Sequence, residues 1–233
     1  MQAQKQLMTA ILAAFGQDGD INLHEYPIHI SYHTTLRLEG EVANIIAKRK
    51  ARRIAMQLSG LMIIEDRLRL RPGERRNGKA LQDALVDALS QEPAFRDIAV
   101  RAGHTAPDGA DQWIGIDVDG CVACLDGQVG SLSHRRLAEV IAWWVPGSCN
   151  VQNHLRVRPA EQDNDDEISD AIRMVLEKDA MLHAENITIH TRERQVTLEG
   201  LVHGPEQRRM AVYDCWYVPG VHAVRDRLQV LSQ

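Results

Sequence analysis

Few residues in this sequence have the types and spacing that do chemistry. Cys121 and Cys124 form a C-x-x-C, a redox spacing when it opens a helix after a strand. Here it falls inside an expected strand, between Asp119-Gly120 and Leu125, where residues three apart face opposite sides. That suits neither a redox pair nor a metal clamp, and no second C-x-x-C completes a structural zinc site. With Cys149 and Cys215, the expectation is four free thiols in a reducing compartment. Ser131 and Ser133 precede His134, but the serines stand where a helix needs its cap. His29 and His33 lie too far apart along a strand to share a metal. No catalytic residue, metal ligand or cofactor is expected, and the chain reads as a non-enzyme.

Charge and aromatic clusters point to binding instead. Lys48, Arg49, Lys50, Arg52 and Arg53 form the densest basic run. On a helix it is either a solvated face or a surface for anionic phospholipid or an acidic partner, each charge contributing roughly 1 kcal/mol at an anionic membrane. Arg67, Arg69, Arg71, Arg75 and Arg76 extend the basic character. Residues 1–76 hold 12 Lys+Arg against 8 Asp+Glu, residues 77–159 hold 7 against 10, and residues 160–233 hold 8 against 14. A basic first third and an acidic last third can steer partners or drive copies together. Nucleic acid is not expected, because aromatics do not interleave with the basic residues. Trp143, Trp144, Trp216 and Tyr217 are large aromatics at one repeated helical position, expected to form an interface between repeats or with a lipid or protein. The acidic run Glu161 to Glu167 reads as a solvated linker and helix start, with a cation site as the alternative.

The elements that carry these residues repeat. Leu38-Glu39-Gly40-Glu41-Val42, Leu125-Asp126-Gly127-Gln128-Val129 and Leu198-Glu199-Gly200-Leu201-Val202 are three copies of one block. Counting from each glycine, Asn44, Ser131 and Gly204 stand at +4 as helix N-caps. Lys48-Arg49, Arg135-Arg136 and Arg208-Arg209 stand at +8 and +9. Ala51, Ala138 and Ala211 at +11, the small residues Ala55, Ala142 and Cys215 at +15, and Leu58, Val145 and Val218 at +18 share the inward helix face. Gly60, Gly147 and Gly220 at +20 are expected to end these helices as left-handed caps. On this wheel Trp143 and Trp216, at +16, point away from the sheet and are exposed in an isolated unit. From +24 to +30 a period-two pattern with one polar member (Asp66, Asn153, Asp226) reads as a strand.

Each unit is thus helix, strand, strand, helix, strand. The predicted fold is α+β: three tandem αββαβ modules over 1–71, 77–158 and 165–231, each a three-stranded mixed sheet with two helices on one face. The second carries a polar insertion, 102–112, expected as a loop. No run reaches the ~20 apolar residues of a membrane-spanning helix. Leu7 to Phe15 fits the first module's own helix and lacks a cleavage site, which places the protein in the cytoplasm.

The leading helix, the hairpin ending in Leu-x-Gly-x-Val, the basic pair, the inward alanine, Pro146-Gly147-Ser148 and Pro219-Gly220-Val221, and the Val-x-Asp/Asn-x-Leu-x-Val ending resemble the BON domain of bacterial osmotically inducible and nodulation-linked proteins. The resemblance spans three copies and is strongest in the third. It implies no catalytic constellation. It implies binding of phospholipid surfaces or envelope components, or potassium sensing in some cytoplasmic members. The expected function is therefore a stress- or envelope-type binding protein docking on anionic phospholipid or an acidic partner. A potassium-responsive module and a homo-oligomeric assembly protein are the alternatives.

Overall fold

Gly40, Gly127 and Gly200 each pair with the first or second residue of an antiparallel neighbour: Ile28, Ile114 and Ile187. Their φ values are 142°, 134° and 128°, a region that favours glycine. A Cβ there would stand 2.6 Å from Pro27 O, 2.2 Å from Trp113 O and 2.0 Å from Asn186 O. The three glycines therefore solve one steric problem, in which the partner strand enters the hairpin across the glycine's own backbone.

The computed structural model describes residues 2–71, 76 and 78–231. Pro72 to Arg75 and Asn77, which hold most of the expected first linker and Arg75 of the basic stretch, lie outside the described residues. The described residues form two compact units, Met1–Arg71 and Pro72–Gln233.

The first unit runs α1 (Gln2–Gln17), β1 (Ile28–Tyr32), β2 (Leu36–Val42), α2 (Ile45–Ser59) and β3 (Glu65–Leu70). Its sheet order is β1-β2-β3, antiparallel then parallel, as a hairpin followed by a helical crossover requires. Ile11 and Phe15 of α1 and Ala47, Ala51 and Ala55 of α2 join Leu36, Leu38 and Leu68 in one core. Asn44 caps α2 by accepting from Ala47 N at 3.0 Å, and Gly60 ends it at φ 67°. Leu58, expected inward, is exposed, because the helix runs past the edge of its core there.

The second unit begins with α3 (Gly78–Ser90), β4 (Ala99–Ala102), β5 (Trp113–Asp119), β6 (Val122–Val129), α4 (Leu132–Trp144), β7 (Asn150–Asn153) and β8 (Arg156–Val157). It continues with α5 (Asp165–Lys178), β9 (Ile187–Arg192), β10 (Gln195–Val202), α6 (Pro205–Tyr217) and β11 (Ala223–Val230). The last module keeps the three-stranded order β11-β10-β9. Its hairpin turns through Glu193 and Arg194, both at positive φ, the turn geometry that matches strand twist. The middle module departs from three strands. Its sheet runs β4-β5-β6-β7, with β8 also on β6. The insertion is bounded by strands that pair in parallel, Ala99 with Trp113 through Ala102 with Ile116, so it works as a crossover that adds an edge strand.

In the last two modules the glycine cap is replaced. α4 and α6 stop at Val145 and Val218, both extended, because Pro146 and Pro219 disfavour a helical residue before them.

Candidate functional site

The basic helix α2 is built into its module. Lys48 is 4% exposed. Its Nζ donates to Asp66 Oδ1 at 2.9 Å and to Leu68 O at 2.7 Å. Lys50 pairs with Asp18 at 3.1 Å and also with Asp20. Burial opposes the charge of Lys50, but the two carboxylates outweigh it and raise its pKa. Arg49, Arg52 and Arg53 are half-buried. Lys48 and Lys50 are thus committed to the module's own carboxylates, which corrects the expectation for these two. Two of its five cations hold α2 to β3 and to the loop after α1.

In the second unit, α4 packs on α5 and touches α6, joining the second module to the third. Trp143 and Trp216, expected to be exposed only in an isolated unit, are buried here, where the modules pack together, while Trp144 and Tyr217 are half-buried. The Trp143 and Tyr217 rings meet across the junction with centroids 6.4 Å apart. The acidic linker fastens the same junction. Glu161 accepts from Leu132 N at the start of α4 at 2.7 Å. Asp163 accepts from Arg136 at 2.5 Å and from Arg194 at 3.2 Å. Arg136, itself buried, also donates to Pro219 O at 3.0 Å. Asp165 accepts from the Glu193 and Arg194 amides of the β9–β10 turn. Burial opposes ionisation of Asp163, yet the two guanidinium groups prevail and hold its pKa below the usual range. Glu161, Asp163 and Asp165 therefore fasten the junction, a role that their reading as a solvated linker and helix start did not include, although Glu161 and Asp163 stay exposed.

Beside this junction lies a cavity of about 460 Å³ lined by Trp143, Trp144, Asp179, Tyr213, Asp214 and Tyr217, among others. Asp214 is 6% exposed, and its Oδ2 has no hydrogen-bond partner among the described residues. Burial, and then the Asp179 carboxylate, push its pKa up to about 8. No sequence signal marked Asp214 or Asp179, because their approach depends on the docking of α5 and α6.

A second cluster lies on the middle sheet. His104, from the insertion, stands between Asp117 at 2.5 Å and Asp126 at 2.8 Å. His154 is 3.6 Å from Asp126. Among the described residues no group of three or more His, Cys, Asp or Glu is placed to hold a metal ion. The histidine therefore reads as a pin for the insertion.

Cys121 and Cys149 form a disulfide, while Cys124 and Cys215 are free. This overturns the expectation of four thiols. The parallel register that pairs Val122 with Asn150 sets the two preceding cysteines side by side, with Cα atoms 5.3 Å apart. Burial, foremost, raises the pKa of both free thiols.

The fold and its fasteners define a class of protein: small mixed α+β modules in series, with carboxylates and cations spent on holding helices to sheets. The BON domain model matches residues 111–159 and 164–232, just over half of the chain, and the chain belongs to the BON domain family. The first 110 residues lie outside that match. No curated relative matches the chain. Among solved structures, the chain is similar to the C-terminal domain of CdsD, the structural protein of the Type III secretion system of Chlamydia trachomatis. The identity is 14%, the TM-score 0.26, and the coverage 90% of this chain and 93% of that one. It is also similar to the periplasmic domain of the T3SS inner membrane protein PrgH from S. typhimurium, at 10% identity and TM-score 0.23, covering 94% and 100%. At such TM-scores these likenesses carry no argument. No helix among the described residues is long and apolar enough to cross a membrane.

Proposed function

We propose that the chain is a non-enzymatic binding protein of three BON-like modules, in which the last two form a fastened pair and the first docks on an anionic phospholipid surface. The assignment of the first module rests on repeated geometry. Gly40 meets Pro27 O as Gly127 and Gly200 meet Trp113 O and Asn186 O, and Lys48–Asp66 repeats as Arg208–Asp226.

The observation that carries the docking reading is the connection from α2 to β3. Leu58, Met62 and Ile63 are 47%, 84% and 79% exposed there. In the other two modules the matching connection is Val-Pro-Gly with buried valines, Val145, Val218 and Val221. An exposed apolar tip on a segment with a basic excess has the two components of interfacial attachment, insertion at the headgroup boundary and attraction to anionic lipid. The Cys121–Cys149 bridge supports work in an oxidising compartment, where disulfides persist, in place of the cytoplasm expected from sequence.

Vesicle flotation tests the proposal. The protein should float with phosphatidylglycerol vesicles and much less with phosphatidylcholine vesicles. Added salt should weaken the binding, and Met62→Ser with Ile63→Ser should abolish it. Flotation that the double variant leaves intact removes the tip as the docking surface. Indifference to both vesicle types leaves an acidic protein as the partner to seek.

A further inference from the structure

Behind the wall of the cavity at the junction of α4, α5 and α6 lie two polar atoms that the fold leaves unanswered. Asp214 Oδ2 accepts no hydrogen bond and Trp143 Nε1 donates none among the described residues. Both residues line the cavity and both are more than nine-tenths buried. A buried unpaired acceptor or donor costs stability, and native folds leave few of them. The neighbour that Asp214 does meet is another carboxyl group, Asp179. Two facing carboxylates need a shared proton or a cation between them.

The rest of the wall says which cation. Trp143, Trp144, Tyr213 and Tyr217 supply aromatic surface and Met210 supplies thioether. A bare metal ion asks for more oxygen or nitrogen donors than this wall contains, whereas aromatic rings favour alkylammonium groups. Lys178 also lines the cavity, but its Nζ is held by Glu92 at 2.7 Å and does not neutralise the acid pair. We propose that this cavity binds a small free alkylammonium cation, such as choline or ethanolamine. Its cationic head sits against the aromatic wall beside Asp214 and Asp179.

A cation in this position replaces the proton that Asp214 holds, so binding releases a proton and tightens as pH rises. The titratable groups facing Asp214 are Lys178 at the end of α5, Asp179 directly after it, and Tyr213 and Tyr217 from α6, with Cys215 next to it in the chain. The lining residues from α4 are the two tryptophans, which do not titrate.

The test is calorimetric titration of the full chain with choline chloride and with ethanolamine hydrochloride, against sodium and potassium chloride at matched ionic strength. Saturable binding is expected for the two organic cations alone. For choline it should tighten between pH 6.5 and 8.5, with a heat that varies with the ionisation enthalpy of the buffer. Asp214→Asn and Trp144→Leu should each weaken it by about tenfold or more. Trp144 is half-buried, and its variant tests the aromatic wall independently of the acid pair. Heats no larger than those of the inorganic salts overturn the proposal. So does undiminished affinity in the variants, or a response confined to phosphatidylcholine vesicles.

Discussion

Lys48 Nζ stands 2.9 Å from Asp66 Oδ1 and so ties the second helix of the first module to its last strand. Asp66 Oδ1 also accepts from Leu68 N at 3.0 Å. The last module repeats the arrangement, with Arg208 Nε 2.7 Å from Asp226 Oδ2 and Leu228 N 3.0 Å from Asp226 Oδ1. The middle module has Asn153 in the acidic position. Its amide donates to Arg135 O at 2.8 Å, and its Oδ1 accepts from Leu155 N at 3.1 Å. The polar member of each strand pattern is thus the anchor of the helix that crosses over it.

Burial decides how much each anchor contributes. Removing Lys48 leaves Asp66 without its cation and Leu68 O without its donor in a nearly closed site. Lys48→Ala should cost about 3 kcal/mol. The Arg208 side chain is 43% exposed, so screening reduces its share, and Arg208→Ala should cost under about 1 kcal/mol. Urea unfolding of each variant reads both values, and equal losses would contradict the ranking. Charge-neutralising tests of lipid docking must therefore leave Lys48 and Lys50 intact.

The repeated glycine makes a sharper prediction. Gly200→Ala places a Cβ 2.0 Å from Asn186 O at a φ that side chains rarely adopt. One strand must move, at a cost of about 3 kcal/mol or more. Gly16→Ala is the contrast. It lies in α1 with nothing within 4 Å of its added Cβ, so it should stabilise the helix by about 0.5–1 kcal/mol. Thermal melts of the two variants should move in opposite directions.

Local patterns made the modules legible in the sequence. Period-two strands, the Asn44 and Ser131 caps and the invariant spacing from each glycine appear in the structure at the residues that carry them. The inward face of α2 was legible in principle too. Lys48, Ala51 and Ala55 are spaced i, i+3, i+7, so the spacing that turns the alanines inward carries Lys48 with them. The disulfide follows from the same kind of step, since a parallel β6–β7 pair in the observed register puts Cys121 beside Cys149. Contacts between modules were not legible. Burial of Trp143 and the Arg136–Asp163–Arg194 clamp arise from how α4 meets the next module, and the Asp214–Asp179 approach from how α5 docks on α6 within the last one; no single element's periodicity encodes either.

Thiol counting checks the bridge. The denatured, unreduced protein should show two reactive thiols, from Cys124 and Cys215, and four after reduction. Cys121→Ser with Cys149→Ser should lower stability by about 2–4 kcal/mol, because the bridge closes a chain segment of 28 residues. Four thiols before reduction would return the protein to the free-thiol reading.

The junction carries two aspartates whose pH effects have opposite signs. Asp163 is held below the usual carboxylate range despite partial desolvation, because Arg136 and Arg194 bind its charged form. Its contribution is present above the ordinary carboxylate pKa and is lost as pH falls through the folded value. Asp163→Asn should therefore cost under about 1 kcal/mol at pH 7, because Asp163 is 40% exposed and solvent screens the pair, and little in strong acid. Asp214 goes the other way. Burial and Asp179 raise it from 3.8 to about 8, so between those values the unfolded chain gives up a proton that the folded chain retains. Stability falls as pH rises through that window and levels off above it. Asp214→Asn removes this penalty, with a gain that is absent near pH 3.5 and grows to about 1–3 kcal/mol by pH 8. Urea unfolding at pH 3.5, 5, 7 and 8.5 should show the two variants departing from the parent in opposite directions as pH rises. Profiles that stay parallel to the parent would mean that neither carboxylate titrates as the junction geometry requires.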